Sequence, residues 1–98
     1  MYARVTTTHV SPYRLEEEIG IARAHTVPAA KGQAGFKGYL MLVDRSTGRG
    51  MTITFWEEEP DRDVTGPNSA YFRESISKLV PLLTDAPTTE DLEIVIRE

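Results

Sequence analysis

Residues Tyr2 to His9 alternate in character and are rich in Val and Thr, the pattern of a half-buried strand. Ser11-Pro12 then offers a capping hydroxyl followed by a proline suited to the first helical position, and Glu16, Glu17 and Glu18 lie where a helix dipole favours negative charge. Leu15, Ile19, Ala22 and Thr26 recur at helical spacing, and Pro28 is expected to end this helix. After a linker over 29–34, the near-continuous apolar run from Gly35 to Asp44 predicts a long second strand. Arg45 to Gly50 is turn chemistry and Met51 to Trp56 a third strand, so these two strands form a hairpin. The acidic stretch Glu57 to Pro67 reads as a loop with room for one helical turn. Asn68 or Ser69 can cap a second helix with Phe72, Ile76, Leu79, Val80 and Leu83 on one stripe, and Pro81 kinks or ends it. Asp85 to Thr89 reads as loop and Leu92 to Ile96 as the fourth strand.

The order is β-α-β-β-α-β, a ferredoxin-like α+β arrangement: a four-stranded antiparallel sheet with two helices on one face, in one domain spanning residues 1–98. Alternation divides the sheet into two faces. Ala3, Val5, Leu40, Leu42, Met51, Ile53, Phe55, Leu92, Ile94 and Ile96 make an apolar layer, expected to lie under the helices. The other face carries Arg4, Thr6, Thr8, Lys37, Tyr39, Met41, Val43, Thr52, Thr54, Trp56, Glu93 and Val95. Too apolar for bulk water, it is expected to be covered by a second subunit, to form a cavity, or both.

Charge and composition narrow the partners. A net charge of −4 without a Lys/Arg cluster argues against nucleic acid. The absence of cysteine excludes disulfides, thiolate metal ligands and a thiol nucleophile. No apolar run is long enough to span a bilayer, and the first residues lack a signal-peptide layout, so a cytoplasmic protein without a membrane partner is expected. The acidic runs at Glu16–Glu18 and Glu57–Glu59 read as solvated faces without a calcium-loop layout, and the glycines form no dinucleotide fingerprint.

Six stretches carry a resemblance: Tyr2–Thr7, Gly35–Leu40, Val43–Gly50, Thr52–Glu57, Asn68–Phe72 and the final strand. Together they resemble the antibiotic biosynthesis monooxygenase-type members of the dimeric α/β-barrel superfamily. That resemblance implies a homodimer formed through the open sheet face, with a ligand cavity in each subunit between the sheet and the helices or loops. It also implies oxidation of a small aromatic or polyketide-like ligand by molecular oxygen, with no metal and no other cofactor. Isomerase or lyase chemistry, and a non-catalytic ligand-binding or structural dimer, are the alternatives.

Trp56, where several relatives keep an active-site tryptophan, would stack on an aromatic ligand. Tyr39 would donate a hydrogen bond to a developing anion, and Arg4 would hold an acidic group. Against these stand packing roles for the two aromatics and an Arg4–Glu93 salt bridge. Thr6, Thr54, Met41 and Tyr71 are the expected ligand-binding residues. His9 and His25 read as surface or cap residues, and no histidine stands on the second helix where haem-degrading relatives place one. No general base is legible.

Overall fold

The computed structural model describes residues 1–98. Strands β1 (Tyr2–His9), β2 (Phe36–Asp44), β3 (Arg49–Trp56) and β4 (Thr88–Glu93) form one sheet in the order β2-β3-β1-β4, with β1·β3, β1·β4 and β2·β3 all antiparallel. The predicted β-α-β-β-α-β order holds. The helices, α1 (Leu15–Ile21), α2 (Val27–Lys31), α3 (Glu59–Val64) and α4 (Ala70–Ser77), lie on one side of the sheet.

The first helical segment departs from expectation in an instructive way. Pro28 does not end it. Residues Ala22–Thr26 open into a π-turn, in which the Val27 N–H donates to the Ala22 carbonyl, and α2 continues through Pro28 to Lys31. A proline lacks the N–H that would reach four residues back, and the wider turn before it accommodates that loss without stopping the helix. The fourth strand is also displaced. It runs over Thr88–Glu93, four residues earlier than its predicted start at Leu92, and the chain leaves strand geometry after Glu93. The acidic loop does contain its helical turn, as α3. Ser69 caps α4 by accepting from the Phe72 N–H at 3.1 Å.

Register fixes the two faces. Arg4 lies opposite Thr54 and Asp91, and Thr54 opposite Tyr39; Val5 lies opposite Ile53 and Glu90, and Ile53 opposite Leu40. The alternation is as predicted, but the layers are exchanged. The mixed face, with Arg4, Thr6, Thr8, Tyr39, Met41, Thr52 and Thr54, lies under the helices and shares a cavity with residues of α4. The apolar face is the uncovered one: Leu40, Leu42 and Leu92 are each about half exposed. Only 16 of 98 residues are buried, and the one buried apolar cluster, Val10, Leu15 and Leu82, sits at one end of the fold. The single chain leaves its most apolar surface unused.

Gly48 closes the β2–β3 turn with φ +81°, and its carbonyl accepts from the Val10 N–H at 3.0 Å. A Cβ there would fall 1.8 Å from the Val10 carbonyl oxygen, so only glycine fits.

Candidate functional site

Between the polar sheet face and the helices lies a cavity lined from the sheet by Arg4, Thr6, Thr8, Tyr39, Met41, Thr52 and Thr54. The helical side contributes Glu18, Ala22, Thr26, Tyr71, Phe72, Ser75, Ile76 and Leu79. Its polar groups come mostly from the strands and its apolar wall from the α4 stripe, as the Phe72/Ile76/Leu79 spacing requires. About 50 Å³ is open to the centres of water molecules, which corresponds to roughly three or four waters at about 10–15 Å³ each. A wider groove of about 600 Å³ adjoins it through the shared residues Ala22, Tyr39 and Met41, and is edged by Ile19, Arg23, Val27, Val43 and Arg45.

Of the residues singled out from the sequence, Arg4, Thr6, Tyr39, Met41, Thr54 and Tyr71 converge on this cavity. Trp56 does not line it. Trp56 is fully buried, meets Phe36 edge-on at 6.1 Å, and donates its indole N–H to the Thr54 hydroxyl oxygen at 2.9 Å. Its link to the cavity is through Thr54, a lining residue whose hydroxyl oxygen it holds.

Arg4 is 3% exposed and all five of its N–H groups are engaged by protein. Nε and Nη2 reach the two Asp91 carboxylate oxygens at 2.9 and 3.2 Å. Nη1 donates to the Thr65 carbonyl and hydroxyl at 2.9 and 3.1 Å, and Nη2 to the Arg62 carbonyl at 2.8 Å. The ion pair expected with Glu93 is made with Asp91 instead, because the earlier start of β4 puts Asp91 opposite Arg4 and Glu93 opposite Tyr2. Arg4 therefore offers the cavity positive charge but no unengaged donor.

Burial pushes the Tyr39 hydroxyl above its ordinary pKa, with the Thr52 hydroxyl opposing that shift and the Glu18 charge adding to it. Burial likewise pushes Tyr71 up to about 12, reinforced by Tyr39 and opposed by Arg4. Both are neutral donors at physiological pH. For Tyr71 the sign of the linkage is clear: a phenol whose folded pKa exceeds its unfolded value near 10 stabilises the fold below pH 10, and that contribution is lost as pH rises towards 12. Thermal melts between pH 9 and pH 11 are therefore expected to show a smaller alkaline fall in Tm for Tyr71→Phe than for the wild type. An equal fall would contradict the burial of this hydroxyl.

The residue that the sequence reading missed is Glu18. The Glu16–Glu18 run reads as a solvated face, but only Glu16 and Glu17 are exposed. Glu18 is 1% exposed, because it follows Leu15 by three positions and precedes Ala22 by four, on the face that α1 turns to the sheet. Its Oε2 accepts from the Thr8 hydroxyl at 2.7 Å, while Oε1 has no partner. The Thr26 hydroxyl, on the π-turn, is also buried without a partner. That signal was present in the i, i+3, i+7 spacing of Leu15, Glu18 and Ala22. His9 stands 3.9 Å from Asp85 at the surface and His25 is exposed, so neither reaches the cavity. No three acidic or histidine side chains cluster as a metal site, and no helix is long and apolar enough to cross a membrane.

No protein-family model and no curated protein sequence matches the chain. Solved structures do. An antibiotic biosynthesis monooxygenase superposes with a TM-score of 0.74 at 14% identity, covering 98% of this chain and 100% of the other. A Nitrosomonas europaea protein of unknown function gives 0.77 at 15% identity, covering 99% and 91%. A Bordetella bronchiseptica protein that carries the monooxygenase name provisionally gives 0.75 at 21% identity, covering 97% of each chain. The fold is the antibiotic biosynthesis monooxygenase-like, ferredoxin-like α+β fold. At these identities the likeness establishes architecture over nearly the whole chain and leaves the reaction to the site itself.

Proposed function

We propose that this protein is a small-molecule oxygenase of the cofactor-independent type, acting on an electron-rich aromatic compound. The observation that carries the reading is the cavity under the helices. It joins an apolar wall of Met41, Phe72, Ile76 and Leu79 to two tyrosine hydroxyls held neutral by burial. The cavity itself, about 50 Å³, is about a third of the ~150 Å³ of an apolar cavity that holds benzene, so a ring sits only partly within it and extends past Tyr39 and Met41 into the adjoining groove of about 600 Å³.

The chemistry asks little more of the protein than position and charge. An activated ring methylene is converted to a carbonyl by one molecule of oxygen, R₂CH₂ + O₂ → R₂C=O + H₂O. The substrate supplies four electrons, one oxygen atom enters the product and the other leaves as water. Loss of a proton from the methylene makes a carbanion whose charge spreads to the ring oxygen. Tyr39 and Tyr71 donate to that oxygen, and the buried charge of Arg4 favours the anion without contacting it. Thr6 and Thr54 provide polar contacts along the ring edge.

The test is oxygen uptake with a ring ketone bearing an acidic methylene, such as anthrone, against the uncatalysed rate. Uptake is expected to match product one to one, and Tyr39→Phe to lower kcat by about 10²-fold, the usual loss for one donor to a developing oxyanion. Turnover that proceeds equally under nitrogen would identify an isomerase or lyase instead. Neither protein-dependent turnover nor ligand-induced stabilisation across such compounds would leave a structural role.

The assembly proposed with this reading is a homodimer through the open sheet face. Supporting it are the half-exposed Leu40, Leu42 and Leu92 on that face and the small number of residues buried within one chain.

A further inference from the structure

We infer that Glu18, held by Thr8 on the cavity wall, forms an acceptor subsite that selects an aromatic ligand bearing a neutral O–H donor, a phenol or enol. The inference rests on the cavity being a ligand site and adds what the ligand must carry. Glu18 is almost fully buried and one carboxyl oxygen is held by Thr8, which fixes the group; the other has no protein donor. A buried acceptor left unmade is costly, and a donor brought into the cavity beside Glu18 would complete it. Thr26 adds a second unpartnered oxygen on the same cavity. Gly50, opposite Thr8 in the sheet, leaves the space this carboxyl group occupies: a Cβ there would stand 3.1 Å from Thr8 Oγ1 and 3.4 Å from Glu18 Oε1.

The lining selects among possible donors. No cation contacts Glu18, since the one arginine on the cavity gives every N–H to Asp91, Thr65 and Arg62. That arginine's positive charge disfavours an ammonium ligand in the same space. The apolar α4 wall disfavours a strongly hydrated one. A hydroxyl on an aromatic ring satisfies all three conditions. In the oxygenase reading the substrate binds as its enol tautomer, the methylene proton having moved to the oxygen, and that O–H proton passes to Glu18 Oε1 as the delocalised anion forms, so Glu18 is the base.

The test is an NMR titration of the intact protein with phenol, anisole and toluene at pH 7, with binding as the readout rather than turnover. Phenol is expected to bind at least about 10-fold more tightly than anisole or toluene, a preference equivalent to one good hydrogen bond. Glu18→Gln keeps the shape and should shrink that preference. Glu18→Met removes the acceptor and should abolish it while leaving toluene binding in place. If Glu18→Met does not fold, the Gln variant still decides. Equal binding of all three ligands overturns the acceptor subsite and leaves the aromatic cavity standing. A phenol preference undiminished in Glu18→Gln, or persisting in Glu18→Met, assigns the contact elsewhere and overturns the role of Glu18. No binding by any of the three overturns both readings.

Discussion

Replacing Arg4 by Met is expected to remove about 3 kcal/mol of folding stability, read as a lowered urea midpoint at unchanged slope. Arg4 adds a side-chain tie across the β1–β4 ladder and joins both strands to the end of α3, which no backbone ladder connects to the sheet. From the middle of β1 it reaches Asp91 on β4, the last turn of α3 through the Arg62 carbonyl, and the residue that closes α3 through both oxygens of Thr65. Breaking a buried ion pair by removing one partner commonly costs about 3–5 kcal/mol. The low end applies here because Asp91 is 39% exposed and water can take over its share. The Thr65 carbonyl and hydroxyl lose the Arg4 donor, and Thr65 is 2% exposed, while the Arg62 carbonyl keeps the Thr65 N–H and hydroxyl. A domain of this size has a total stability of roughly 5–15 kcal/mol, so the change is a large fraction of the whole. Arg4→Lys should recover less than half of the loss, since an ammonium has three donors and no planar fork. A change below about 1 kcal/mol in Arg4→Met would show that the network is solvated and contributes little, as exposed pairs do.

The same arginine shows where sequence reasoning carried and where it stopped. Periodicity alone was enough for the element order, because alternation in β1 and β3 and the Phe72/Ile76/Leu79 stripe are local signals. Alternation also sorts the strand residues into two faces, which is why Arg4, Thr6, Tyr39, Met41 and Thr54 share one cavity, with Tyr71 added from α4. What it does not contain is which face the helices cover. The expectation that the more apolar layer lies under the helices holds for a domain that completes its core within one chain; here the helices close over threonines, tyrosines and a buried ion pair. The identity of Arg4's partner depended on the start of β4. Thr88 and Thr89 read as loop because the residues after them, Glu90 and Asp91, are charged and lack the strand-like pattern of Leu92 to Ile96. Glu18 was hidden differently. A run of three glutamates looks like a solvated face, and only the rotation of 100° per residue along α1 separates the buried third member from its exposed neighbours. The usual effect of proline predicts a helix end at Pro28, and the π-turn that absorbs it has no simple sequence signature.

The uncovered face leads to the last expected result: Leu40→Glu should convert a dimer into a monomer without unfolding the chain. Wild-type protein is expected to sediment at twice the 11.0 kDa chain mass at micromolar concentration. Leu40 is 49% exposed in the single chain, so a carboxylate there remains hydrated in the monomer and should leave the thermal melt of the monomer largely intact. In a two-fold assembly through this face, each chain would bring one carboxylate into an apolar interface with Leu42, Met51, Ile53 and Phe55 around it. A buried unpaired charge costs several kcal/mol, and even about 3 kcal/mol raises Kd by more than 100-fold. The segment after Glu93 extends the same argument. Val95 and Ile96 are 80% and 75% exposed, and Arg97 lies 5.1 Å over the Phe55 ring, so the chain end adds apolar surface beside the sheet and ends it with a charge. A second copy is the partner that matches such a face, since an apolar layer with few charges is complementary to itself. A wild-type chain that sediments as a monomer at high micromolar concentration would refute the homodimer, and a Leu40→Glu variant that remains dimeric would place the interface on another surface.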